Sequence, residues 1–98
     1  MKIEDLRAEM AEKVKTIDPI GKKLKFNLDE GVILIDGSGG ENMVSAEDLD
    51  ADCTISMSID TWLKLQNKEI KPFVAVMKGK MKVKGDVGLA RKLKQLQS

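Results

Sequence analysis

The chain has 98 residues, 42% hydrophobic and 34% charged, with a formal net charge of +1, which describes one globular domain over residues 1–98 with a modest core. It holds no His, no Tyr and one Cys. That excludes a zinc site of the usual kind, a Ser–His–Asp or Cys–His nucleophile and an internal disulfide.

Neither catalysis nor a metal or cofactor is therefore expected. No apolar run approaches the roughly 20 residues that span a bilayer. The N-terminus MKIEDLRAEM carries acids among its apolar residues, unlike a secretory signal. With a single Cys53 and no peroxisomal tripeptide at Leu96-Gln97-Ser98, a reducing, cytoplasmic setting is expected.

Residues 2–16 predict a helix, with Ile3, Leu6, Met10 and Val14 on one stripe. Its acids come early and its lysines late, as the helix dipole prefers, and Asp18-Pro19 ends it. Leu24, Phe26 and Leu28 alternate with Lys25 and Asn27 in a first strand. Asp29-Glu30-Gly31 turns into a second strand, VILID at 32–36, which is apolar on both faces and hence central or doubly covered. Gly37-Ser38-Gly39-Gly40 is a turn, since no Gly-Lys-Ser/Thr follows to make it a P-loop. Glu41–Ser45 predicts a weak edge strand. Glu47–Asp52 is an acidic connection without the frame of a calcium loop.

Cys53, Ile55 and Met57 alternate with Thr54, Ser56 and Ser58 in a fourth strand, which buries the thiol. Ser58 caps a short helix from Ile59 to Gln66, and Asn67 is the expected left-handed residue at its end. Pro72 opens another short helix that Gly79 stops. Met81 and Val83 then alternate with lysines in a fifth strand. Gly85 supplies a sharp corner, and Asp86 caps a last helix with Leu89, Ala90, Leu93 and Leu96 on its stripe. The inventory is α+β: a five-stranded, mostly antiparallel sheet with helices packed on one face.

Charge is unevenly placed. Residues 29–60 carry nine acidic residues and no basic one, whereas residues 78–98 carry seven basic against one acidic. The acidic middle is expected to lie near the basic end and attract it. The basic end also suits transient contact with an anionic membrane surface. Nucleic acid is not an expected partner, because only Trp62 and two Phe are available for stacking.

The second half resembles a known family. ADCTISMS at 51–58, WLKLQNKEIKP at 62–72 and FVAVMKGKMKVKGDVGLARKLKQL at 73–96 are similar to the sterol carrier protein-2 family. The run from Gly79 through Met81, Val83, Gly85, Asp86 and Ala90 to Leu93 carries its most specific pattern. The resemblance implies a five-stranded sheet with helices on one side and an apolar tunnel between them. It also implies a lipid ligand: a fatty acid, fatty acyl-CoA, phospholipid or sterol. On that reading the tunnel contacts are Ile33, Met57, Trp62, Leu65, Phe73, Met77, Met81, Val83, Leu89 and Leu93. The alternative is an accessory module with a filled core that serves an enzyme of lipid metabolism. Periodicity does not choose between them, since a core wall and a cavity wall share one pattern.

Overall fold

The stripe Ile3, Leu6, Met10 and Val14 is buried along one side of the first helix in a computed structural model that describes residues 2–91. That helix, α1 (Ile3–Lys13), tightens into a 3-10 turn at Val14–Thr16 before Asp18-Pro19. There follow β1 (Lys23–Leu28), β2 (Gly31–Asp36), β3 (Met43–Ser45) and β4 (Cys53–Met57). Next come α2 (Ile59–Gln66), α3 (Pro72–Met77), β5 (Met81–Gly85) and α4 (Val87–Ala90). The last helix of the sequence reading extends to 96; its part beyond residue 91, Leu93 included, lies outside the described residues.

The strands form one sheet in the order β3-β2-β1-β4-β5. Only β1 and β4 pair in parallel, with Leu24 opposite Cys53 and Phe26 opposite Ile55; the other pairings are antiparallel. Residues of period two therefore line up across the sheet. Phe26, Ile33, Ile55 and Val83 share one face, and they join α1, α2, Ala75 and Leu89 in a single apolar cluster. Trp62 of α2 packs edge-on against Phe26, with ring centroids 5.5 Å apart and planes at 78°.

Two polar devices hold α1 and its exit in place. The Arg7 guanidinium donates through Nε and Nη2 to the Val32 carbonyl, at 3.2 and 2.9 Å. The Asn42 side chain accepts from the Ile20 N–H at 2.9 Å and donates to the Val14 and Asp18 carbonyls at 3.2 and 3.1 Å. One carboxamide thus satisfies three backbone groups of the linker into β1.

On the opposite face, Leu34 is buried although it belongs to no part of the main cluster, as the doubly apolar VILID run predicts. Its register partner Lys25 reaches Asp48 at 2.9 Å, so the acidic connection crosses this face there. The other end of the same stretch runs beside the basic end, because β4 pairs with β5, with Thr54 opposite Lys84 and Ser56 opposite Lys82. One correction concerns the end of α2. Asn67 stays near helical angles (φ −84), and the left-handed residue is Lys68 (φ 60). Lys68 N–H donates to Leu65 O at 3.1 Å and Glu69 N–H to Lys64 O at 2.8 Å, the paired bonds of a Schellman end displaced by one residue.

Candidate functional site

Three successive elements, α3, β5 and α4, curve around an open space on the helical side of the sheet. Pro72 starts α3 at a position whose N–H has no partner in any helix. Gly79 (φ 73) then reverses the chain, with its N–H on Val76 O at 3.1 Å and the Lys80 N–H on Ala75 O at 2.9 Å. In β5, Met81 faces Met57 and Val83 faces Ile55 across the β4 pairing. Gly85 turns the corner into α4, where Asp86 Oδ1 accepts the Leu89 N–H at 3.3 Å. That cap points Leu89 into the core and leaves Val87 and Ala90 to wall the space.

The result is a groove of about 400 Å³. Ile55 and Met81 are its buried floor, Val83 and Ala90 its sides, and Phe73, Val76 and Val87 its exposed rim. Arg91 is the one charged residue in its lining among the described residues. The size is that of a small-molecule site. An apolar trough with one cation can take up a hydrocarbon chain and meet an anionic head. Among the described residues its lining holds no nucleophile or acid–base pair. Cys53, opposite Gly85 in the β4–β5 pairing, is a buried, free thiol whose pKa burial pushes up, with the Asp86 charge adding to the shift.

Asp86 also ties the groove to the N-terminal part of the chain. Its Oδ2 accepts from the Lys22 ammonium. This hydrogen bond, and the cap bond from Leu89, hold the Asp86 carboxyl below the ordinary range, and Lys22 is raised in return.

The residues expected around a ligand are divided by the structure. Phe73, Met81 and Val83 line the groove. Ile33, Met57, Trp62, Leu65 and Leu89 are buried in the main cluster beside it. Met77 stands 72% exposed on the outer side of α3, beyond the groove wall. Leu93 lies outside the described residues. Ile55, Pro72, Val76, Val87, Ala90 and Arg91 complete the lining without having been expected there. Three of them had a signal in the sequence: Ile55 shares the apolar phase of Met57, Val76 follows Phe73 at helical spacing, and Ala90 stands on the stripe of Leu89.

A family model described as the SCP-2 sterol transfer family matches residues 2–98. Among curated proteins, the chain is 33% identical over 97 residues to "Sterol carrier protein 2" of Bos taurus, covering 98% of this chain and 18% of that protein. It is 43% identical over 60 residues to "Hydroxysteroid dehydrogenase-like protein 2" of Bos taurus, covering 60% of this chain and 14% of that protein. The chain thus spans a minor part of the length of the curated relatives it matches. Among solved structures it is similar to Sterol Carrier Protein-2 from Aedes aegypti in complex with C16 fatty acid (palmitate), with a TM-score of 0.74 and 22% identity over 100% of this chain and 96% of that one. It is also similar to Sterol Carrier Protein 2 from Yarrowia lipolytica in its apo form, with a TM-score of 0.66 and 24% identity over 96% and 80% of the two chains. At these identities the likeness establishes the fold.

Proposed function

Since the chain belongs to the SCP-2 sterol transfer family, we propose that it is a non-catalytic lipid-binding and lipid-transfer domain whose ligand lies in the groove between α3, β5 and α4. The observation that carries this reading is the groove's composition, a buried apolar floor under an exposed apolar rim of Phe73, Val76 and Val87. Water against that rim is unfavourable, and an acyl chain laid along it gains roughly 0.8 kcal/mol for each CH2 removed from water. A single-chain fatty acid or fatty acyl ligand fits best, because it bends along an open trough and brings one anionic end to Arg91. The palmitate complex of the Aedes aegypti relative supports that ligand class. Ile33, Met57, Trp62, Leu65 and Leu89 pack the layer behind the groove, and Phe73, Met81 and Val83 touch the chain. A reducing, cytoplasmic setting suits the buried Cys53.

The test is displacement of a fluorescent fatty acid from delipidated protein by unlabelled acyl chains, together with mass spectrometry of lipids extracted from the freshly purified protein. Saturable, displaceable binding that Phe73→Ser weakens is expected. Absence of saturable binding by any acyl lipid would remove the reading.

A further inference from the structure

Helix α3 is inverted relative to an ordinary surface helix. Its one buried side chain is Ala75. At about 100° per residue, the direction opposite Ala75 falls between Phe73 and Met77. Those two are 74% and 72% exposed, the most exposed large apolar side chains among the described residues. One flank of the helix is the groove rim, through Phe73 and Val76. Along the other flank, Lys71 and Lys78 join Lys64, Lys68 and Lys80 around a shallow basin of about 630 Å³ whose lining holds one acid, Glu69. Lys64 is engaged by Asp60 at 3.3 Å, but Lys68, Lys71, Lys78 and Lys80 form no ion pair among the described residues.

We propose that α3 is a docking element for an anionic phospholipid bilayer, with Phe73 and Met77 entering the interfacial region and the flanking lysines meeting lipid phosphates. A protruding pair of apolar side chains beside a spread of long cations matches what such a surface binds. It matches a protein partner poorly, because two side chains are far short of the apolar centre of a stable protein interface. The surface builds on the groove reading, since docking by Phe73 sets the groove mouth against the bilayer and lets an acyl chain pass between them without crossing water.

The test is co-sedimentation with phosphatidylcholine vesicles, with and without phosphatidylserine, at low and high salt. The parent should bind the phosphatidylserine vesicles, and less so as salt screens the lysines. Met77→Ser leaves the groove lining intact, so it should weaken vesicle binding by about tenfold while fatty-acid affinity and the far-UV spectrum stay unchanged. Replacing Lys68, Lys71 and Lys78 with Gln should weaken it by about fivefold for each lysine and flatten the salt dependence. Vesicle binding with no fatty-acid binding would keep the docking surface and remove the groove reading. Fatty-acid binding with no binding to phosphatidylserine vesicles would overturn the docking surface alone, leaving its lysines to an acidic protein. Vesicle binding that Met77→Ser leaves at the parental level would overturn it as well.

Discussion

A side chain at Gly85 would collide with the carbonyl oxygen of Asp52. The same oxygen accepts the Asp86 N–H at 2.8 Å, so the corner between β5 and α4 is drawn tight onto the start of β4. The backbone of Gly85 also has φ +98, where side chains are strained whatever the space. Gly85→Ala combines both penalties and is expected to cost about 2–3 kcal/mol in a denaturant titration. A midpoint equal to the parent's would show that the corner relaxes freely.

The pairing of Asp86 with Lys22 sets a pH dependence. The carboxyl is held below its ordinary value of 3.8 by the Lys22 hydrogen bond first and the Leu89 N–H next. Its contribution to stability is therefore complete above that ordinary value and disappears as pH falls through the lower folded value. Asp86→Asn keeps a side chain that can cap α4 but removes the charge. Unfolding midpoints measured from neutral to strongly acid pH should fall less steeply for the variant. Parallel curves would mean that the Lys22 contact adds nothing in solution. Lys22 is raised above 10.5, so its share persists below that value and is lost only as pH rises through the higher folded one.

Groove and core are distinguished by adding volume to neighbouring residues of α4. Ala90 lines the open space and Leu89 is buried in the cluster. Ala90→Phe should leave the denaturant midpoint near the parent's while weakening fatty-acid binding about tenfold or more. Leu89→Phe overpacks a filled site and should cost about 1–3 kcal/mol. Equal stability losses in the two variants would show that the groove is already filled by the protein.

The end of α2 can be improved. Lys68 holds φ 60 with a side chain attached, whereas Gly79 occupies the corresponding place after α3 with φ 73. Left-handed angles cost an ordinary residue roughly 1–2 kcal/mol, and the added freedom of Gly in the unfolded chain returns up to about 1 kcal/mol of that. Lys68→Gly should therefore raise stability by up to about 1 kcal/mol, read as a higher urea midpoint at unchanged slope. A lower midpoint would mean that the Lys68 side chain contributes more than its backbone costs.

Much of this architecture was legible in local pattern. The stripe of α1, the alternation in β1, β4 and β5, the Ser58 and Asp86 caps and the glycine corner each depend on neighbours in sequence. The parallel seam between β1 and β4 was not legible, because alternation says which face a residue takes and nothing about which strand lies beside it. Leu34 was readable as doubly covered, but its cover came from the acidic connection through Lys25 and Asp48. The groove was legible only in part. Met57 and Met81 are register partners with the same alternation, yet Met81 floors the groove and Met57 packs in the cluster beside it. What separates them is the path of α3 overhead, a tertiary fact that no local period encodes.

The solitary anchor of α3 has a kinetic consequence. A six-residue helix secured by one buried side chain, Ala75, has little to lose when it lifts from the sheet. Local opening free energy scales with such buried contacts, so the α3 amides should exchange with deuterium well before those of β1 and β4, which release only when the molecule unfolds as a whole. Opening of α3 between Pro72 and Gly79 would widen the trough at the rim carrying Phe73 and Val76, so if exchange shows α3 opening first, the rate of ligand entry should follow the opening of one short helix and not the stability of the domain.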